Sequence, residues 1–244
     1  MDTISNSGGW WNSLQIADMN GDGKQDIIAG NYGLNSRIKA TPQQPAELYV
    51  GDFDNNGQTD CVPVYFKTDG KAYPYHLKGE LQAQLPYLKK QFLHFSDYAA
   101  RSIDQIFTKE QIRGARILHV EQSQTCVFIN DGKGSFSMQP LPLQAQLSPV
   151  FAILPNDLNK DGITDLFLAG NFYGYKPQTG RMDASYGTTL LGNAQHQFTY
   201  MPPSQSGLFV KGEARDAVQV KTADGNSVIV VAMNNAPLKI FRKK

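Results

Sequence analysis

One nine-residue acidic pattern occurs three times in this chain and limits what it can fold into. Residues 18–26 read DMNGDGKQD, residues 52–60 read DFDNNGQTD, and residues 157–165 read DLNKDGITD. All three fit Asp-x-[Asn/Asp]-x-[Asp/Asn]-Gly-x-x-Asp, and together they hold nine of the 22 acidic residues. Agreement at so many positions marks an internal repeat, so the architecture must be assembled from a recurring unit.

The spacing has a coordination logic. Side-chain oxygens at positions 1, 3 and 5 converge when the chain curls, Gly at position 6 permits the sharp turn, and position 7 offers a backbone carbonyl. A carboxylate at position 9 can close the shell, and water completes the roughly 6 to 8 oxygens that calcium takes. Mg²⁺ demands stricter geometry and keeps more water, so calcium fits better. The predicted ligands are Asp18, Asn20, Asp22, Asp26 and the Lys24 carbonyl; Asp52, Asp54, Asn56, Asp60 and the Gln58 carbonyl; and Asp157, Asn159, Asp161, Asp165 and the Ile163 carbonyl. Three Ca²⁺ sites are thus expected, each loop carrying three formal negative charges. Asp, Asn and Gly also make good turns without metal; the repetition favours calcium, as a staple rather than a regulator.

An EF-hand loop begins the same way but needs Glu at position 12 and flanking helices. Position 12 is here Ala29, Pro63 and Leu168. Short apolar runs follow each loop (27–29, 61–66, 166–169), and strand-like residues precede them, as at 47–50 and 150–154. Runs this short, bounded by turn residues, read as buried strands. Strand–loop–strand hairpins are predicted, and the EF-hand is rejected.

The loop starts lie 34 and 105 residues apart, so the unit is not strictly periodic. A degenerate fourth copy at 219–232 (QVKTADGNSVIVVA) parallels 15–29, but Asp224 alone survives of its acids, which predicts no metal there. Polar turns recur after the strong strands: Gly30-Asn31-Tyr32-Gly33, Gly170-Asn171-Phe172-Tyr173-Gly174 and Met233-Asn234-Asn235. FINDGKGSF (128–136) and LLGNAQHQF (190–198) each place a tight turn between two strands. Many short strands and a multi-copy unit predict an all-β fold of propeller-type blades, about four of them. The non-alternating runs at 27–28 and 166–168 predict strands buried on both faces, as where blades stack. One segment departs from this: Leu77, Leu81, Leu85, Leu88, Phe92 and Phe95 form a helical stripe. Pro86 is expected to open a second helix, Ser96 to cap the next, and Thr108 with Gln111 to form a capping box before Gly114. Residues 78–113 therefore read as a small helical insertion whose stripe packs on the β-body.

The three acidic loops, the Gly-Asn turns and the N-D-G-x-G-x-F motif at 130–136 resemble FG-GAP/VCBS repeats. Such repeats build the calcium-bearing β-propellers of integrin α-subunits and of many secreted bacterial proteins, including the cartilage-acidic-protein type. The resemblance covers most of the chain outside the helical insertion. It implies blades with calcium in the inter-strand loops, an extracellular or cell-surface location (bacterial outer membrane or periplasm included), and binding or adhesion. The last copy has lost its loop, and such propellers commonly have about seven blades. Residues 1–244 are therefore expected to form one propeller-like repeat domain, a carboxy-terminal part of a longer protein whose signal peptide and other blades lie outside this sequence. The calcium reading points to the same compartment, because loops without the bidentate Glu suit extracellular concentrations of about 10⁻⁴ to 10⁻³ M.

Composition narrows the partners. Lys plus Arg total 23 against 22 Asp plus Glu, with no basic block, which argues against nucleic acid. No apolar run approaches the ~18 residues of a transmembrane segment, and residues 1–9 are polar, unlike a signal peptide. Cys61 and Cys126 allow at most one disulfide and are expected to be buried small hydrophobes. His76, His94, His119 and His196 lack metal-ligand spacing, no nucleophile elbow or phosphate loop occurs, and Glu47, Glu80, Glu110, Glu121 and Glu213 read as solvated surface. No catalytic residue is predicted, and the chain is expected not to be an enzyme. The preferred function is a calcium-stapled module binding a protein or a glycan, with Trp10, Trp11, Tyr173, Tyr175 and Tyr186 near predicted loops available for stacking. One alternative is a lyase-like polysaccharide enzyme using Arg37, Lys176 or Arg181 beside a calcium; another is a purely architectural module of a larger surface protein.

Overall fold

A computed structural model describes residue 4 and residues 7–242, with Thr179 described by its backbone alone. Strands form on either side of each acidic loop. β1 (Ser13–Ala17) and β2 (Asp26–Gly30) pair antiparallel with Ala17 opposite Asp26. β3 (Ala46–Gly51) and β4 (Asp60–Phe66) repeat this with Gly51 opposite Asp60, and β5 (Ala72–Pro74) pairs with the far end of β4. Five short helices follow: α1 (Lys78–Gln84), α2 (Leu88–Gln91), α3 (Phe95–Tyr98), α4 (Ile103–Ile106) and α5 (Lys109–Gly114). Next come β6 (Arg116–Val120), β7 (Cys126–Asn130) and β8 (Phe136–Pro140). β9 (Val150–Asn156) and β10 (Asp165–Gly170) flank the third loop, Asn156 opposite Asp165, and lead to β11 (Thr188–Gly192) and β12 (Phe198–Met201). α6 (Pro203–Ser206), β13 (Ala214–Lys221), β14 (Ser227–Met233) and β15 (Lys239–Arg242) complete the described chain. The fold is all-β, with four blade-like antiparallel sheets in the orders β1-β2-β7-β8, β5-β4-β3-β6, β12-β11-β10-β9 and β13-β14-β15. Strands flank every acidic loop, as the rejection of an EF-hand requires.

The chain divides into two compact units. The first holds Ile4, Trp10–Asn35 and residues 123–242, the second residues 7–9 and Ser36–Gln122. In the first unit β2 pairs with β7, Ile28 opposite Val127, so one sheet is made from segments on either side of a long excursion. The first strands of its three sheets adjoin, β9 having β1 on one side and β13 on the other. β10 is consequently buried along its whole length. Leu166 and Leu168 enter one cluster with Ile28, Val127, Val150 and Leu190, while Phe167 and Ala169 enter another with Leu208, Val210, Ala217 and Val231. This is the two-faced burial that the non-alternating run predicts, and each large side chain so buried contributes about 1.5–3 kcal/mol. Neighbouring backbone comes close where β2 and β10 end. A β-carbon on Gly170 would collide with the Pro149 carbonyl oxygen, and one on Gly30 would lie 2.6 Å from that of Val150. The degenerate fourth copy forms the β13–β14 hairpin, its turn closed by the Thr222 amide on the Asn226 carbonyl at 2.8 Å.

In the second unit the helices cover one face of the sheet. Leu81, Leu85, Leu88 and Phe92 are buried with Tyr49, Val62, Val64, Ile106 and Phe107. Leu77 and Phe95, the ends of the predicted stripe, are exposed. Helix starts differ in part from expectation. Pro86 lies outside α2, whose N-cap is Tyr87, and Ser96 lies inside α3, whose N-cap is His94, with Asp97 accepting the His94 amide at 2.7 Å. The Thr108–Gln111 capping box forms as predicted, with bonds of 2.8 and 3.2 Å. Both cysteines are free; Cys126 is buried, its thiol pushed up to about 12 by burial, whereas Cys61 is exposed because it lies on the outward-facing side of β4. Among the described residues no helix is long and apolar enough to cross a membrane.

Candidate metal centre

The three acidic loops fold alike. The carboxylate at position 1 accepts the amides of positions 5 and 6: Asp18 from Asp22 and Gly23 (3.2 and 2.8 Å), Asp52 from Asn56 and Gly57 (3.1 and 2.8 Å), Asp157 from Asp161 and Gly162 (3.1 and 2.9 Å). The oxygen at position 5 accepts the amide of position 7, from Lys24, Gln58 and Ile163 at 2.9, 2.7 and 2.8 Å. These donors favour the charged acids. The Lys24 amide above all holds Asp22 below the usual carboxylate range, and the Gly57 amide does so for Asp52. Positions 4 and 6 are left-handed in every copy, occupied by Gly21 and Gly23, Asn55 and Gly57, Lys160 and Gly162. Glycine at position 6 meets that demand without strain.

Position 9 is where the copies part. Asp26 and Asp165 are fully buried and brace the loop with both oxygens. One oxygen of each accepts the amide of position 2 (Met19 and Leu158, both 2.8 Å), and the other accepts an amide near the third strand (Asn130 at 2.8 Å, Gly192 at 2.9 Å). Burial raises the Asp165 carboxyl above the usual range in spite of these donors. Asp60 also accepts its position-2 amide, from Phe53 at 3.0 Å, but no strand amide reaches its other oxygen. β5 pairs with residues 64–66 only, and the Gln84 side-chain amide of α1 makes a longer bond of 3.2 Å in its stead.

The second loop is also where three acids converge. One carboxylate oxygen each of Asp52, Asp54 and Asp60 lies within 4.8 Å of the other two, so these residues could hold a metal ion. Asp54 Oδ1 is shielded from water and accepts no hydrogen bond, an orphaned position that a hard cation would fill. Among the described residues no such trio forms in the other two loops. Both carry Asn at position 3, and these loops hold further bonds of their own. Asn20 accepts the Asp22 amide at 3.1 Å, Asn159 bonds Asp161 at 2.8 Å, and Lys24 Nζ lies 3.1 Å from Asp22 Oδ2.

Residues 10–43 match the FG-GAP repeat. The matched segment includes β1, the first acidic loop, β2 and the Gly30-Asn31 turn. A comparison with curated proteins yields no match.

The other residues singled out in the sequence are scattered. Trp11 packs edge-on against Phe128, ring centroids 5.7 Å apart, and helps cover Ala29 and Cys126, so it is core. Trp10, Tyr32 and Tyr175 form a chain of rings (5.0 and 6.2 Å), Tyr173 lies under the Arg181 guanidinium at 4.7 Å, and Arg37 lies over Tyr65 and Tyr75. Glu47 and Glu213 are not solvated surface. Glu47 pairs with His119 at 3.6 Å, and buried Glu213 accepts from Arg215 (2.7 Å), the Tyr173 amide (2.8 Å) and Asn234 (2.8 Å). Two buried polar tethers were also missed, Gln146, which bonds Thr125 from both ends, and Asn171, which bridges Ser185 and Gly212. The recurring Gly-Asn turns were the available signal for Asn171; nothing local marks Gln146.

Proposed function

We propose that this chain is a non-catalytic repeat module of an extracellular or surface protein, in which Ca²⁺ staples the inter-strand loops and the blades bind a protein or glycan partner. The observations that carry this reading are the convergence of Asp52, Asp54 and Asp60 and, beside it, the unpartnered Asp54 Oδ1. Bound calcium would neutralise most of the charge in that trio, with Asn56 and the Gln58 carbonyl completing the protein ligands. The loops at Asp18 and Asp157 share the turn geometry of the second loop, and we extend the assignment to them on that ground, to three sites in all. The residues at position 9 then keep their bracing amides, since each carboxylate oxygen has a second lone pair for the ion.

The test is a thermal melt of the protein in calcium at about 2 mM against excess chelator. A metal that binds the folded state alone stabilises by RT ln(1 + [L]/Kd), about 0.6–1.8 kcal/mol per site at this calcium concentration for a Kd of about 10⁻³ to 10⁻⁴ M. A calcium-dependent rise in Tm is the expected result. An unchanged Tm would make the loops turn scaffolds and remove the main support for the compartment.

A further inference from the structure

A cleft of about 500 Å³ opens in the first unit, where the segment leading into β11 meets α6 and the turn before β9. Its most exposed feature is a pair of rings, Tyr186 and Phe209, stacked 11° from parallel with centroids 5.2 Å apart. These residues are 45% and 52% exposed, so the stack leaves much of both rings in water. Adjacent large rings left this open mark a binding surface more than a folding core.

The platform is held from beneath. The Tyr186 carbonyl accepts the Val210 amide at 2.8 Å, which keeps Phe209 alongside. Buried Asn171 grips the preceding Ser185 at both ends, accepting its amide at 3.1 Å and donating to its carbonyl at 2.8 Å. Gly187 follows in the left-handed region at φ +91°, its α-carbon against the 208 backbone, where a β-carbon would lie 2.9 Å from the Leu208 oxygen. The rings are thus positioned before any ligand arrives, which lowers the ordering cost of binding.

The lining selects a ligand class. Among the described residues no charged side chain lines the cleft, so neither an anion nor a cation is matched. The polar residues that line it, Gln144, Thr188, Tyr200 and Ser204 among them, are neutral. A ring face carries a negative quadrupole that attracts C–H groups, while neutral hydroxyls and amides exchange hydrogen bonds with alcohols. A pyranose offers both, a C–H face and a rim of hydroxyls. We propose that this cleft is a subsite for a neutral hexopyranose of a glycan chain, with Tyr186 and Phe209 as its stacking platform. This rests on reading the chain as a binding module and gives that reading a glycan and a place.

The test is calorimetric titration of the intact protein, in calcium, with cellohexaose, mannohexaose and laminarihexaose. The same titrations are run on Tyr186→Ala, Phe209→Ala and Tyr186→Phe. Saturable binding of at least one hexasaccharide is expected, weakened about tenfold or more by either alanine and kept within about threefold by Tyr186→Phe. Amide NMR shifts of the unaltered protein on adding that sugar should centre on residues 185–188 and 208–210, a readout that does not depend on any variant folding. Binding unaffected by Tyr186→Ala, shifts centred elsewhere, or no binding of any of the three sugars would each overturn the subsite. Calcium-dependent melting in the same samples separates the two readings. A calcium shift without sugar binding removes the subsite and leaves the stapled module standing; sugar binding at these rings without a calcium shift does the reverse.

Discussion

The backbone amide of Asn130 donates a 2.8 Å hydrogen bond to Oδ1 of Asp26, a residue 104 positions earlier. Oδ2 of the same carboxylate takes the Met19 amide at 2.8 Å. The last acid of the first loop therefore closes its own turn and pins that turn to the β7–β8 connection. Asp26→Ala leaves both amides without an acceptor, at about 1–3 kcal/mol each. A loss of about 2–6 kcal/mol in urea unfolding is expected. Asp60→Ala should cost less, since its outer oxygen holds only the Gln84 side chain at 3.2 Å. Equal losses would refute the bracing role.

Asp54 carries a prediction of opposite signs. In chelator, Asp54→Asn removes one of three charges held within 4.8 Å of each other and should raise Tm. In calcium the same substitution removes a ligand and should shrink the metal-dependent rise. Melts of both proteins in both buffers decide it, and a lower Tm in chelator would contradict the crowding.

Lys160 sits at φ 67° in the third loop, where the first loop has Gly21 and the second has Asn55. A side chain with a β-carbon pays about 1–2 kcal/mol for that conformation, and Asn pays less. Lys160→Gly is expected to stabilise by about 0.5–1 kcal/mol after the entropy gained by the unfolded chain, and Lys160→Asn by a similar amount. Chemical denaturation measures it; destabilisation by both substitutions would mean that the lysine side chain contributes something the turn geometry does not reveal.

Glu213 links stability to pH. Burial opposes its charge, but the Tyr173 amide, Asn234 and Arg215 prevail and hold its carboxyl below the usual glutamate range. A depressed folded pKa adds stability above the unfolded value of about 4.3, and that stability is lost as pH falls through the folded value. At neutral pH Glu213→Gln should cost about 1–3 kcal/mol, with Arg215 still partly solvated. The gap between the two proteins should narrow as pH drops below about 4.5. A gap independent of pH from 7 to 3 would place the contribution in packing.

Some of these features are legible in the chain because they are local. Loop positions 1, 5, 6 and 7 bond to one another, so the turn follows from nine consecutive residues. The flanking strands follow from short apolar runs, and the two-faced burial of β10 from its lack of alternation. The helical stripe is legible in its middle and misleading at its ends, because Leu77 is the N-cap of α1 and Phe95 opens a separate helix, α3, so neither continues the buried face of α1 and α2. Trp11 and Glu213 defeat sequence reading for a common reason. Their partners, Phe128 and the Tyr173 amide, are 117 and 40 positions away, and no local pattern encodes such meetings.

By itself the sequence determined the repeat, the fold of each loop, the strand–loop–strand hairpins and the exclusion of an EF-hand. All of these depend on interactions within about a dozen residues. The tertiary structure decided which loop gathers its acids. Whether the position-9 carboxylate is braced by a strand amide depends on what lies beside the second strand of the sheet: β7 or β11 in two cases, the short β5 and a glutamine from α1 in the third. Three loops of one pattern therefore acquire different electrostatics, because a carboxylate's partners are set by the neighbouring strand and not by the loop that carries it.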